Sequence, residues 1–294
     1  MAVSNEPALE RIETLIHRRT ESDRRMGYGW MIVPLLPLAA VITIASSFVG
    51  ILISILPKLS NLSQANTQST LAPFASGIFA LYGIAVILYF GVLFFGALSF
   101  YYMVERRNRH FARQQLLFST IHNYLTSKRP ESANAAHLGY IAEDSESQER
   151  PRSAGLWSLL YLFVTPIVGL ILSYCLTQDI RKHDELQAKF QSTLVPSLSD
   201  ASLQPPNFAP YKSRGGDPVL FVILSAVTGG LFWIYWYYTL LRDYNGHFAD
   251  QARFEDQLLQ LLKPPQATVT CGTCGGAVPT GAKFCPHCGR QQSA

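Results

Sequence analysis

Cys271-Gly-Thr-Cys274 and Cys285-Pro-His-Cys288 place four thiols in two CxxC pairs separated by ten residues. A thiolate is a soft, anionic ligand, and each CxxC turn presents two sulfurs to one side. The four together form the donor set of a tetrahedral zinc site. With four protein ligands no position is left for water or substrate, so Cys271, Cys274, Cys285 and Cys288 are expected to hold a structural zinc that folds the segment around it. His287 sits inside the second knuckle, where the cysteines already complete the tetrahedron, and is not read as a ligand.

A second set of residues recurs. His110, His183 and His247 each follow a tyrosine by nine residues (Tyr101, Tyr174, Tyr238) and precede a glutamine by four (Gln114, Gln187, Gln251). Leu117, Phe190 and Phe254 close each unit three residues later, and Asn108 and Asn245 precede the first and third histidines by two. Copies one and three share His-Phe-Ala-x-Gln, and every copy follows an apolar run, which points to a threefold internal repeat of membrane segment plus juxtamembrane helix. Residues four apart share a helical face. Three such faces meeting around a pseudo-axis would offer the histidines to a metal or an anionic headgroup. No carboxylate or cysteine recurs beside them as a further ligand, so the simpler expectation is that they are interfacial residues hydrogen-bonding neighbouring helices.

The elements that carry these residues are mostly apolar. The 294-residue chain has only 15% charged residues, against about 25% in an ordinary soluble domain. An all-α integral membrane protein with a small C-terminal zinc ribbon is therefore expected. Residues 1–28 hold Leu9, Ile12, Leu15 and Ile16 at helical spacing among Arg11, Arg18, Arg19, Arg24 and Arg25, an amphipathic helix that packs on its own protein or lies on anionic lipid. Two long apolar runs, 30–56 and 73–103, exceed the ~20 residues that cross a bilayer. Their flanking arginines, including Arg106, Arg107, Arg109 and Arg113, put both ends of this hairpin inside. The second helix is expected to continue to about Leu125, so 29–125 form one unit. Residues 126–154 are polar and read as a flexible linker. Two further membrane segments with their juxtamembrane helices fill 155–262, a Pro linker occupies 263–270, and the ribbon spans 271–290.

The runs 156–177 and 218–241 either span or re-enter. Single crossings would put the middle repeat on the opposite side from the other two and leave Arg181, Lys182, Lys189, Lys212 and Arg214 outside, against the positive-inside tendency. Breaks at Thr165-Pro166 and Gly229-Gly230 would instead give arms of about ten residues, roughly 15 Å, and keep all three copies on one side. The aromatic runs 100–102 and 232–238 read as an interfacial belt. The apolar runs contain no Asp, Glu, Lys, Arg or His, which disfavours ion-coupled transport. No phosphate-binding loop, nucleophile elbow or HExxH pair occurs. The net charge of +4 is dispersed, so nucleic acid is not an expected partner. Asn61-Leu62-Ser63 is a glycosylation sequon. No signal peptide is expected, because a polar, charged stretch precedes the first apolar run.

Cys271-Gly-x-Cys274 followed by Lys283-Phe284-Cys285-Pro286-x-Cys288-Gly289 resembles the short zinc ribbons appended to many prokaryotic, notably archaeal, membrane proteins. The stretch 228–237, Thr-Gly-Gly-Leu-Phe-Trp-Ile-Tyr-Trp-Tyr, resembles a small family of repeated membrane domains of unknown function with a Gly-aromatic-Tyr-Trp core, from which the third apolar run departs at Ser173-Tyr174. Neither resemblance implies an activity. The expectation is a non-enzymatic, multi-pass protein of the cell membrane with both termini cytoplasmic. It would act as an adaptor or accessory subunit that presents the ribbon to an unidentified cytoplasmic protein, as part of a membrane complex or a homo-oligomer, and its half-inserted hairpins could also shape the bilayer. The rival is a membrane enzyme or small-solute carrier that uses His110, His183 and His247.

Overall fold

The computed structural model describes residues 6–59, 67–165, 167–209, 214–263, 268–279 and 282–291. The sequon at 61–63 and much of the 263–270 linker lie outside the described residues. Nine helices and two short strands are described: α1 (Glu6–His17), α2 (Arg19–Ser22), a 3₁₀ turn (Tyr28–Met31), α3 (Ile32–Leu59), α4 (Thr67–Lys128), α5 (Ala133–Gln148), α6 (Ala154–Phe163), α7 (Ile167–Asp200), α8 (Pro218–Val227), α9 (Leu231–Leu262), β1 (Thr268–Thr270) and β2 (Ala277–Pro279).

Helices α3 and α4 are each long and apolar enough to cross a membrane, and they pack against each other. Their outward faces carry Val41, Ile53, Phe79 and Ile87, all more than 60% exposed. Contiguous exposed apolar surface on this scale marks a membrane or protein-interaction face. Helix α4 runs on past the apolar residues to Lys128, so one continuous helix carries the first histidine unit away from the apolar half.

Each of the two later apolar runs is a helical hairpin. Ser153 caps α6 by accepting from the Leu156 N–H, and the helix stops at Val164, ahead of Pro166, where a missing N–H and ring sterics disfavour continuation. Arg152 before α6 is 2.8 Å from Asp179 on α7, so the chain has folded back on itself. Asp217 caps α8, and the turn into α9 is made by Gly229 (φ 60°) and Gly230 (φ 91°), in the left-handed region that glycine alone enters without strain. The Phe221 ring lies 5.2 Å from Phe232 and 5.5 Å from Trp236, which fixes α8 against α9. Gly96 on α4 lets α6 approach, since a Cβ there would overlap the buried Tyr161 ring. Because each hairpin returns to the end it left, α4, α7 and α9 run parallel into the polar half and their equivalent positions fall at equal depth.

The polar half is a helical bundle with its own core. The stripe Ile12, Leu15 and Ile16 of α1 is buried there against residues that include Leu117, Ile121 and Leu258, so this helix packs on its own protein. Residues 126–154, expected to be a flexible linker, instead contain α5. Ser132 caps it, and Ala135, Leu138, Ile141 and Ala142 are buried against α4 and α7. The error has a physical cause: four apolar residues at helical spacing suffice to dock a short helix on an existing core, even when Ser and Glu dominate its composition.

Candidate metal centres

Along α4, α7 and α9 the histidine, the glutamine four residues on and the apolar residue three further on stack on one face, because 400° and 700° of helical rotation both return close to the start. These faces meet. His110, His183 and His247 are at most 1% exposed, with His110 Nε2 3.2 Å from His183 Nε2 and 3.0 Å from His247 Nε2. One layer on, Gln251 Nε2 donates to Gln114 Oε1 (2.9 Å) and Gln114 Nε2 donates to Gln187 Oε1 (3.0 Å). Leu117, Phe190 and Phe254 then join the core. The repeated tyrosines sit nine residues, 900° or half a turn out of phase, before the histidines, so they face away. Tyr101 is exposed, and Tyr174 and Tyr238 are half-buried.

Each imidazole has a carboxylate on its other nitrogen. His110 Nδ1 lies 2.8 Å from Asp23 Oδ1, His183 Nδ1 2.6 Å from Glu149 Oε1, and His247 Nδ1 2.7 Å from Asp184 Oδ1. Burial opposes ionisation of Asp23 and Glu149, but the charges and hydrogen bonds of their partners outweigh it, His110 and Arg113 for Asp23 and His183 for Glu149. Both carboxyls are held below their usual range. Burial pushes Asp184 up to about 6, still ionised at neutral pH. His110 and His247 are pushed below 6.5, first by burial. The carboxylates are themselves fixed: Ser145 Oγ donates to Glu149 Oε2, the Arg214 N–H to Asp184 Oδ2, and Arg113 bridges Asp23 Oδ2 and Glu255 Oε1 at 2.9 and 2.8 Å.

The donor and acceptor count decides what such a cluster accommodates. An ionised carboxylate only accepts, so each Nδ1 carries the proton and each neutral ring is left with a lone pair on Nε2. Three lone pairs then lie within 4.8 Å of one another with no hydrogen between them, an arrangement that a cation resolves. Nitrogens 2.0–2.1 Å from a tetrahedral zinc are about 3.3–3.4 Å apart, within a few tenths of an ångström of the 3.0 and 3.2 Å found here. A carboxylate on the distal nitrogen is also the usual companion of a metal-bound histidine. The residues therefore fit a divalent first-row ion, for which imidazole is a suitable ligand.

The four cysteines are compatible with a second metal site. Cys271 Sγ is 3.9 Å from Cys288 Sγ and Cys274 Sγ 3.6 Å from Cys285 Sγ, with all four sulfurs within 4.8 Å of one another. Tetrahedral sulfurs at 2.3 Å from zinc would be about 3.8 Å apart. Each knuckle is closed by backbone: the Gly275 N–H donates to the Cys271 carbonyl and the Gly289 N–H to that of Cys285. Strand β1 pairs antiparallel with β2 beside the first knuckle. His287 is not part of the sulfur cluster.

Sequence spacing thus located the three histidines and three glutamines but not the carboxylates behind them. Asp23 and Glu149 lie in stretches read as a basic helix and a linker. Asp184 adjoins His183 yet serves His247, a pairing that only the fold creates. No family model, curated protein or solved structure matches the chain.

Proposed function

We propose that this is a non-enzymatic, membrane-anchored adaptor whose cytoplasmic domain is assembled around one divalent transition-metal ion on His110, His183 and His247 and which presents a C-terminal zinc ribbon to a protein partner. The convergence of three carboxylate-backed Nε2 atoms carries this assignment. A single ion contacting α4, α7 and α9 ties together three helices that enter the domain from separate apolar segments. Three protein ligands are also the count of many catalytic zinc sites, which keep a fourth position open to substrate. Complete burial of all three imidazoles argues for a structural or regulatory ion instead.

In this proposal α3 and α4 cross the bilayer, the α6–α7 and α8–α9 hairpins enter it only halfway, and the arginine-rich ends and both termini lie in the cytoplasm. A reducing compartment also keeps the four ribbon thiolates available to zinc. The chain would work as a subunit of a membrane complex or as a homo-oligomer. The adaptor role is tested by affinity capture from mild detergent of the full chain against Cys271→Ser/Cys274→Ser. A companion lost only with the variant supports it; identical companions, or none, overturn it.

A further inference from the structure

Three arginines on α4 are almost fully buried, and two have their anions. Arg107 lies 3.1 Å from Asp179, and Arg113 bridges Asp23 and Glu255. Arg106, 4% exposed, has no carboxylate within ion-pair distance among the described residues. Its Nη1 donates to Asn245 Oδ1, and its Nε and Nη2 have no hydrogen-bond partner among the described residues. The guanidinium carbon lies 5.1 Å from the centre of the Tyr244 ring and 5.9 Å from that of Phe248. Ring faces attract a cation but offer no acceptor to its remaining N–H groups. Burial lowers Arg106 to about 10, so it stays charged at neutral pH. A desolvated cation without an anion is expensive to maintain.

Arg106 lines a cavity of about 540 Å³ whose walls also hold Arg24, Arg25 and Arg109. This volume is within the ~300–1,000 Å³ of small-ligand sites. The two acids that face the cavity are Glu21 and Glu105, and Glu105 is already paired with Arg109 at 2.8 Å. Arg24 and Arg25 are exposed and make no ion pair among the described residues. The lining is also aromatic: Trp30 and Tyr102, both on the cavity, pack edge to face at 5.6 Å. It stands where the apolar run of α4 gives way to arginines, the level at which such rings meet lipid headgroups.

We infer that this cavity binds the phosphate of an anionic phospholipid, with Arg106 as the buried counter-charge, Arg24 and Arg25 as the outer clamp, and the Trp30–Tyr102 wall against the glycerol and upper acyl chain. The inference rests on the membrane placement given above. A diester phosphate in the cavity supplies the counter-charge that Arg106 lacks and acceptors for the exposed Arg24 and Arg25, and a zwitterionic headgroup adds a choline that the arginines repel.

The test is competitive retention of phosphatidylglycerol against phosphatidylcholine by the detergent-purified full chain, read by native mass spectrometry. The variants are Arg106→Met, Arg24→Gln/Arg25→Gln and, as a control for charge away from the cavity, Arg11→Gln/Lys182→Gln. Wild type and control are expected to prefer phosphatidylglycerol by about tenfold to a hundredfold, the range of charge-assisted hydrogen bonds, and both cavity variants to fall toward parity. Arg106→Met is further expected to unfold no earlier than wild type in lipid-free detergent, which separates lost binding from lost fold. Equal preference in all four proteins overturns the inference, as does a preference erased by excess inorganic phosphate, which would assign the site to free phosphate. Release of the chain from membranes by alkaline carbonate would refute the membrane placement instead, a separate outcome.

Discussion

Replacing Glu149 by Gln distinguishes a metal centre from a hydrogen-bonded histidine cluster. Glu149 Oε1 accepts from His183 Nδ1 at 2.6 Å and Oε2 from Ser145 Oγ at 3.0 Å. Glutamine keeps the shape and one acceptor for the Nδ1–H, but it removes the charge that raises the basicity of Nε2. Loss of such a partner typically lowers metal affinity 10–100-fold, about 1.4–2.7 kcal/mol at 1.36 kcal/mol per decade. The same change in the metal-free protein should cost less, because relief of desolvation offsets part of the lost attraction to His183 and a neutral bond survives. The assay is competition with a chromophoric chelator on the full chain, paired with thermal unfolding with and without chelator. The expected result is a weakened site and a difference in Tm between Glu149→Gln and wild type that is larger with metal than without. An equal loss of stability in both conditions would refute the reasoning and return the histidines to the role of hydrogen-bonding interfacial residues.

Arg113→Met removes the ion-pair partner of the fully buried Glu255 and leaves Asp23 its contact with His110, and should cost about 3–5 kcal/mol at neutral pH; equilibrium denaturation showing under 1 kcal/mol would contradict the bridge. Burial raises the Glu255 carboxyl even in the presence of Arg113, so the penalty should shrink as acid protonates it. Cys271→Ser/Cys274→Ser should remove one bound ion and unfold residues 268–291 while leaving helical circular dichroism unchanged, because zinc contributes on the order of 10 kcal/mol to a module that lacks a larger core. Metal-free protein should lose stability as pH falls below 6.5: His110 and His247 are held below that ordinary value when folded, so unfolding takes up protons there. A Tm independent of pH between 8 and 5 in excess chelator would contradict the burial of neutral imidazoles.

What the sequence made legible follows from which interactions are periodic. Helical phase alone puts His110, Gln114 and Leu117 on one face and Tyr101 on the opposite one, and the same holds at each copy. Gly229-Gly230 and Thr165-Pro166 marked turns because backbone sterics act locally. The two cysteine knuckles were legible for the same reason, since both ligands of a pair lie within one turn. The carboxylates were not, because Asp23 lies 87 residues from His110, Glu149 34 from His183 and Asp184 63 from His247, with no common offset for a repeat to expose. Helix α5 was hidden by its polar composition, although its buried apolar positions bring Glu149 to the centre.

The central claim is most directly tested by counting metal in the full chain carrying Cys271→Ser, Cys274→Ser, Cys285→Ser and Cys288→Ser, purified without chelator after growth in metal-replete medium. Inductively coupled plasma mass spectrometry should find one equivalent of a divalent first-row ion, falling to none when His110→Ala, His183→Ala and His247→Ala are added. A cysteine-free protein that is folded, holds no metal and takes up none on titration with zinc would contradict the tri-histidine centre.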